Sequence, residues 1–212
     1  MPEVAVFGQY IRGEVEGQKV PGYRDLPGIP RDSHTPTFAA VKVFIDNWRW
    51  QGVPFYLRSG KRLKKRITEV SVHFQRVPHS VFRGIISEDI KPNVLVFRIQ
   101  PDEAIELVFQ AKAPGTTLCL RDVKMNFSYK MAGGVMPDAY ERVIMDCLRG
   151  DHLLFVGQEG VEQAWEFFEP ILRFLEKGKR LLFHVHDYPA GSWGPKEAED
   201  FITKDGYQWW VR

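Results

Sequence analysis

Two periodicities divide the chain. In the first two thirds, apolar residues come in short blocks or at every second position. Val70, Val72 and Phe74 alternate with Ser71, His73 and Gln75, and Val123, Met125, Phe127 and Tyr129 alternate with Asp122, Lys124, Asn126 and Ser128. Residues two apart on a strand share a face, so each run predicts a strand with one dry and one wetter face. The block F-A-A-V-K-V-F-I over 38–45 is bounded by Pro36 and by Asp46 and Asn47, and its β-branched and aromatic content predicts a mostly buried strand. Strands over 93–100 and 104–110 are joined through Pro101, Asp102 and Glu103 in what reads as a hairpin. The polar, Gly- and Pro-rich stretch 13–37 has the composition of an ordered surface loop without regular elements.

The last third changes to helical spacing. Tyr140, Val143, Ile144, Cys147 and Leu148 recur on one helix face after Pro137 and Asp138, and stop at Gly150. Val161, Ala164, Trp165, Phe168, Ile171, Leu172 and Leu175 form a second stripe, with Pro170 expected to kink or break it. A short third helix is predicted over 196–204, after Gly194 and Pro195. Strands first and helices later predict an α+β fold: a large, mostly antiparallel β-sheet with helices packed on one face.

A chain of 212 residues can bury a sizeable core as one domain. With 44% hydrophobic and 26% charged residues its composition is that of an ordinary globular protein. The net charge of +2 argues against whole-surface attraction to nucleic acid or an anionic membrane. Cys119 and Cys147, each within an apolar segment, suit buried thiols in a reduced, cytoplasmic setting better than a disulfide framework. There is neither a bilayer-length apolar run nor a signal-peptide pattern. Six Trp residues suggest aromatic packing between sheet and helices.

The chemically richest stretch is 54–66, P-F-Y-L-R-S-G-K-R-L-K-K-R. Phe55, Tyr56 and Leu57 favour a strand, and Ser59 and Gly60 read as its break, since glycine turns freely. Then come Lys61, Arg62, Lys64, Lys65 and Arg66. Cations delivered at a strand end suit a phosphate, Lys as a point charge and Arg as a planar fork. On charge alone, the same run reads first as solvated turn charges. Base stacking would need aromatics among these cations, but Leu63 is the one uncharged residue between Lys61 and Arg66. No strand, Gly-rich turn and helix of a dinucleotide fold occurs, nor a Walker loop, a nucleophile elbow or a zinc-type cysteine arrangement. His184 and His186 share a strand face near Asp187 without a recognisable third ligand, so no metal site is expected.

Seven ordered motifs carry a resemblance. They are V-F-G-Q-Y (6–10), T-F-A-A-V (37–41), R-W-Q-G-V-P-F (49–55), L-R-S-G-K (57–61), R-I-Q-P-D-E-A (98–104), P-D-A-Y-E-R (137–142) and G-S-W-G-P-K-E-A (191–198). Together they resemble the carboxy-terminal half of glucose-6-phosphate dehydrogenases. The resemblance implies that 1–212 is one substrate-binding and dimerisation domain, lacking the amino-terminal Rossmann domain and the R-I-D-H-Y-L-G-K-E segment that carries the family's catalytic histidine region. Lys61, Arg66 and Gln100 match substrate-binding positions for glucose 6-phosphate. Arg58, Arg98, Asp138 and Trp210 match a structural NADP site of some members. Ile67, Ser71, Glu106, Val108 and Trp193 stand where that site expects basic or aromatic residues, so it is expected to be absent or weak. The family oxidises glucose 6-phosphate to the lactone and passes hydride to NADP. This chain alone is therefore expected to be inactive, its main NADP site and catalytic base lying upstream, and to form a homodimer through its sheet, with a tetramer as an open further step. The competing reading is a stand-alone, non-catalytic sugar-phosphate-binding or dimerisation module.

Overall fold

The computed structural model describes residues 4–77, 90–116, 119–132, 138–176 and 184–210. They form two units, one made of residues 1–65 and 143–212 and the other of 66–142.

In the first unit the central strand is the apolar opening, β1 (Ala5–Ile11). The hairpin β2 (Gly13–Val15) and β3 (Gln18–Val20) follows, then β4 (Phe38–Phe44) and β5 (Pro54–Gly60). β10 (Val185–Pro189) lies parallel to β1, whose other edge pairs antiparallel with β4, and β4 pairs antiparallel with β5. Alternation sorts the side chains onto two faces. Val6, Tyr10, Phe38, Ala40 and Tyr188 form a core with Ala198 and Phe201 of helix α3 (Lys196–Thr203). On the opposite face Ala5, Phe7 and Val41 pack with Phe168 and Ile171 of helix α2 (Gln158–Glu176). This first sheet is thus covered on both faces, which amends the expectation of helices on one face.

The second unit is an antiparallel meander of β6 (Thr68–His73), β7 (Val94–Gln100), β8 (Ala104–Lys112) and β9 (Leu120–Ser128). The α+β class and the antiparallel character are as expected. Among the described residues, however, the strands form two four-stranded sheets and a hairpin rather than one large sheet. Cross-strand register aligns Val70, Phe97, Ile105 and Phe127 in one row and Val72, Leu95, Leu107 and Met125 in the next. This apolar face was expected to be dry, yet Val70, Phe97, Met125 and Phe127 are exposed. The buried residues, Val94, Val96, Ala104 and Glu106, lie on the other face. Periodicity reports which residues share a face; what covers that face is a tertiary matter.

Helix α1 (Ala139–Arg149) is capped by Asp138, whose carboxylate accepts from the Tyr140 amide at 2.8 Å. Helix α2 runs on through Pro170, so of the expected kink or break it shows no break. Leu175 has its side chain outside the described set, and Pro137 lies outside it altogether. The loop expected over 13–37 contains the β2–β3 hairpin, which turns at Glu16 and Gly17 with φ of 52° and 79°. It is anchored where buried Gln9 donates its amide to the carbonyls of Ser33 and Thr35.

Gly60 does not break β5; it pairs with Phe38 inside the sheet. Its role is space: a Cβ there would sit 2.8 Å from the Phe38 ring. A Cβ on Gly194, whose φ is +114°, would overlap the same ring. The Phe38 ring therefore needs two bare backbones beside it. Gly194→Ala, which adds backbone strain to overlap, should cost about 2 kcal/mol or more. Thermal unfolding beside the parent chain measures it, and an unchanged midpoint would refute the clamp.

Candidate functional site

β5 ends at the base of a cationic loop whose backbone is held at Lys61, Arg62 and Lys64. The Lys61 amide donates to the Thr37 carbonyl at 2.8 Å, and the Lys61 carbonyl accepts from the Tyr188 hydroxyl at 2.8 Å. Arg62 adopts a left-handed φ of 52°, and its carbonyl accepts from the Gly191 amide at 2.8 Å. Leu63 packs on the core, and the Lys64 amide donates to the Ser192 carbonyl at 2.9 Å. Lys61, Arg62, Lys64 and Lys65 are all exposed. A tied backbone beneath exposed ammonium and guanidinium heads is a rigid mount for anion contacts.

Tyr188 is fully buried, and burial pushes its phenol up from the ordinary value. Its oxygen also lies 3.1 Å from Thr37 Oγ1. The single phenolic proton goes to a carbonyl, so Thr37 must donate to Tyr188. Thr37 Oγ1 in turn accepts from the Tyr10 amide at 3.0 Å. Three distant segments of the chain share this relay.

The other two candidate substrate residues lie in the second unit, where Thr68, two residues after Arg66, pairs with Gln100. Both Arg66 and Gln100 are exposed at that end of the second sheet. The division between units falls between Lys65 and Arg66.

Of the candidate NADP residues, Arg58 and Trp210 belong to the first unit and Arg98 and Asp138 to the second. The Arg58 guanidinium lies 4.6 Å from the Trp209 ring centroid and 5.1 Å from that of Trp193, with a Glu199 oxygen at 3.9 Å. Two indole rings and a carboxylate already surround it, and the carboxylate opposes an incoming phosphate. Asp138 serves as the α1 cap.

Several remaining groups are structural. His186 Nδ1 lies 3.2 Å from Glu197, and the His184 and His186 rings are 4.8 Å apart edge-on. Among the described residues no group of three or more His, Cys, Asp or Glu is placed to hold a metal ion. Burial pulls the half-buried His73 below the usual imidazole value. Cys119 and Cys147 are free and exposed, which corrects the expectation of buried thiols. No described helix is long and apolar enough to cross a membrane.

An α+β sheet domain presenting an anchored cationic loop is the class that the fold and this site define. The family model for the glucose-6-phosphate dehydrogenase C-terminal domain matches residues 1–210. The chain is 45% identical over 205 residues to a glucose-6-phosphate 1-dehydrogenase from Aggregatibacter actinomycetemcomitans, covering 96% of this chain and 40% of that protein. It is 44% identical to the enzyme of that name from Treponema pallidum, of which it covers 39%. A solved glucose-6-phosphate dehydrogenase in complex with its substrate glucose-6-phosphate superposes with a TM-score of 0.85 at 34% identity, over the whole of this chain and 42% of that one. The chain belongs to the glucose-6-phosphate dehydrogenase C-terminal domain family and spans about 40% of the length of these relatives.

One cluster makes acid stability testable. Asp205 accepts from Lys42 at 2.7 Å and from the Tyr56 phenol, and these bonds, that from Lys42 first, hold its carboxyl below the usual carboxylate value. Burial first and then the Asp205 bond push the Tyr56 phenol up. Because the folded Asp205 value is depressed, its contribution is full above the unfolded value of about 4 and fades as pH falls through the folded one. Asp205→Asn should lower the urea midpoint at neutral pH, and the gap should shrink on acidification. A gap constant with pH would contradict the assignment.

Proposed function

We propose that this chain is the sugar-phosphate-binding and dimerisation part of an NADP-linked glucose-6-phosphate dehydrogenase, and that residues 1–212 serve as one functional domain. The reaction oxidises C1 of glucose 6-phosphate to the lactone, with hydride passing to NADP. Lys61 and Arg66 neutralise the substrate phosphate, and Gln100 offers an amide to the sugar hydroxyls. The observation that carries this reading is the match over 1–210, together with a structural relative whose substrate is glucose-6-phosphate. The anchored loop below Lys61 supports it physically, because a mount tied by backbone bonds loses little entropy when a dianion arrives.

In this reading the catalytic base and the main NADP pocket belong to sequence upstream, the enzyme works in the cytoplasm, and this chain alone turns over no sugar. The structural NADP site is absent or weak, since Arg58 is enclosed by Trp193, Trp209 and Glu199. Calorimetric titration with glucose 6-phosphate should show weak, roughly millimolar binding that is markedly but measurably weakened in Lys61→Ala, and titration with NADP should show none. Sugar binding unaffected by Lys61→Ala, NADPH production by the chain alone, or tight NADP binding would each overturn the corresponding part.

The homodimer forms through the exposed apolar face of the second sheet. The rows Val70–Phe97–Ile105–Phe127 and Val72–Leu95–Leu107–Met125 run across all four strands, and a second copy presents the same rows in return. Phe127, 49% exposed, lies within this face. Phe127→Asp should convert a dimer into monomers in sedimentation experiments while leaving the circular dichroism spectrum unchanged. A variant that remains dimeric would place the interface elsewhere.

A further inference from the structure

We propose that Tyr188 is a positioning residue for the phosphate contact, acting through Lys61. The inference deepens the reading above and rests on its assignment of Lys61. Tyr188 touches no exposed surface, and its ring is fixed edge-on against Phe38 and Tyr10, with centroids 5.6 and 6.4 Å away. Its hydroxyl donates to the Lys61 carbonyl at 2.8 Å and lies 3.1 Å from Thr37 Oγ1, while the Lys61 amide donates to the Thr37 carbonyl at 2.8 Å.

Both backbone groups of Lys61 therefore report to the same pair of residues. Fixing both peptide planes that flank a Cα fixes the direction of its Cβ, and from there the ammonium need only settle its own rotamers. The next residue, Arg62, sits in the left-handed region, where a non-glycine side chain persists only if its surroundings hold it. Without the phenol, the Lys61 carbonyl loses its donor, leaving the bond from the Gly191 amide to the Arg62 carbonyl to hold the left-handed turn. The ammonium would then sample directions away from the phosphate. The phenol is too deeply buried to meet the sugar itself, so its effect passes through the backbone.

Binding of glucose 6-phosphate is compared in the parent chain, Tyr188→Phe, Lys61→Ala and the double variant, with the 13Cε resonance of Lys61 followed by NMR. Ala198→Gly, which thins the same core without a bond to the loop, controls for lost stability. Tyr188→Phe keeps the ring and should weaken binding about fivefold, as expected of one hydrogen bond. It should also reduce the phosphate-induced shift of the Lys61 signal, and cost nothing further once Lys61 is alanine. Ala198→Gly should leave affinity and shift as they are. If Lys61→Ala weakens binding but Tyr188→Phe does not, or if the two effects add, the positioning role is wrong while the phosphate reading survives. If Lys61→Ala has no effect, the phosphate reading falls and the positioning role with it.

Discussion

The first unit depends on one buried hydroxyl. Tyr188 links the strand nearest the carboxy terminus to Thr37 and Lys61, which precede it by 151 and 127 residues. A phenol buried without partners would cost about 1–3 kcal/mol, so the core tolerates Tyr188 only because those partners are fixed around it. The dependence is mutual. Thr37 and Lys61 hold their places partly because the phenol bridges them, and Phe38 can lie against Tyr188 only because Gly60 and Gly194 leave room. Packing and hydrogen bonding here form a single constraint.

The two sheets use the same alternation for different ends. In the first, both faces carry apolar side chains and both receive a helix, so the strands act as the middle layer of a sandwich. In the second, the aromatic and branched residues stay exposed, while the polar face holds Val96 and Glu106 out of solvent. Glu106 is nine-tenths or more buried and has Lys124 at 3.7 Å, as a buried carboxylate requires. An apolar sheet surface of this kind is the usual signature of an interface.

The cations differ from the arginine beside them in how they are held. Arg58, on β5, is enclosed by indoles and spends its charge on structure. Lys61, three residues later, has its backbone tied and its head exposed. A residue type alone does not separate these fates, because both are basic side chains near one strand end.

Much was legible in the residues. Alternation at 122–129 and the block at 38–45 marked strands, the stripe from Val161 to Leu172 marked a helix, and the ordered motifs marked the family and the loop around Lys61. These features are local, and local periodicity survives into three dimensions because it reflects backbone geometry. What the tertiary structure alone decided was non-local. It put Tyr188 beneath Lys61 and both helices against opposite faces of one sheet. It gave Gly60 the role of spacer for Phe38 rather than turn, and it enclosed Arg58 between Trp193 and Trp209. Each depends on chain segments meeting across some twenty residues or far more, and spacing along a sequence carries no record of such meetings.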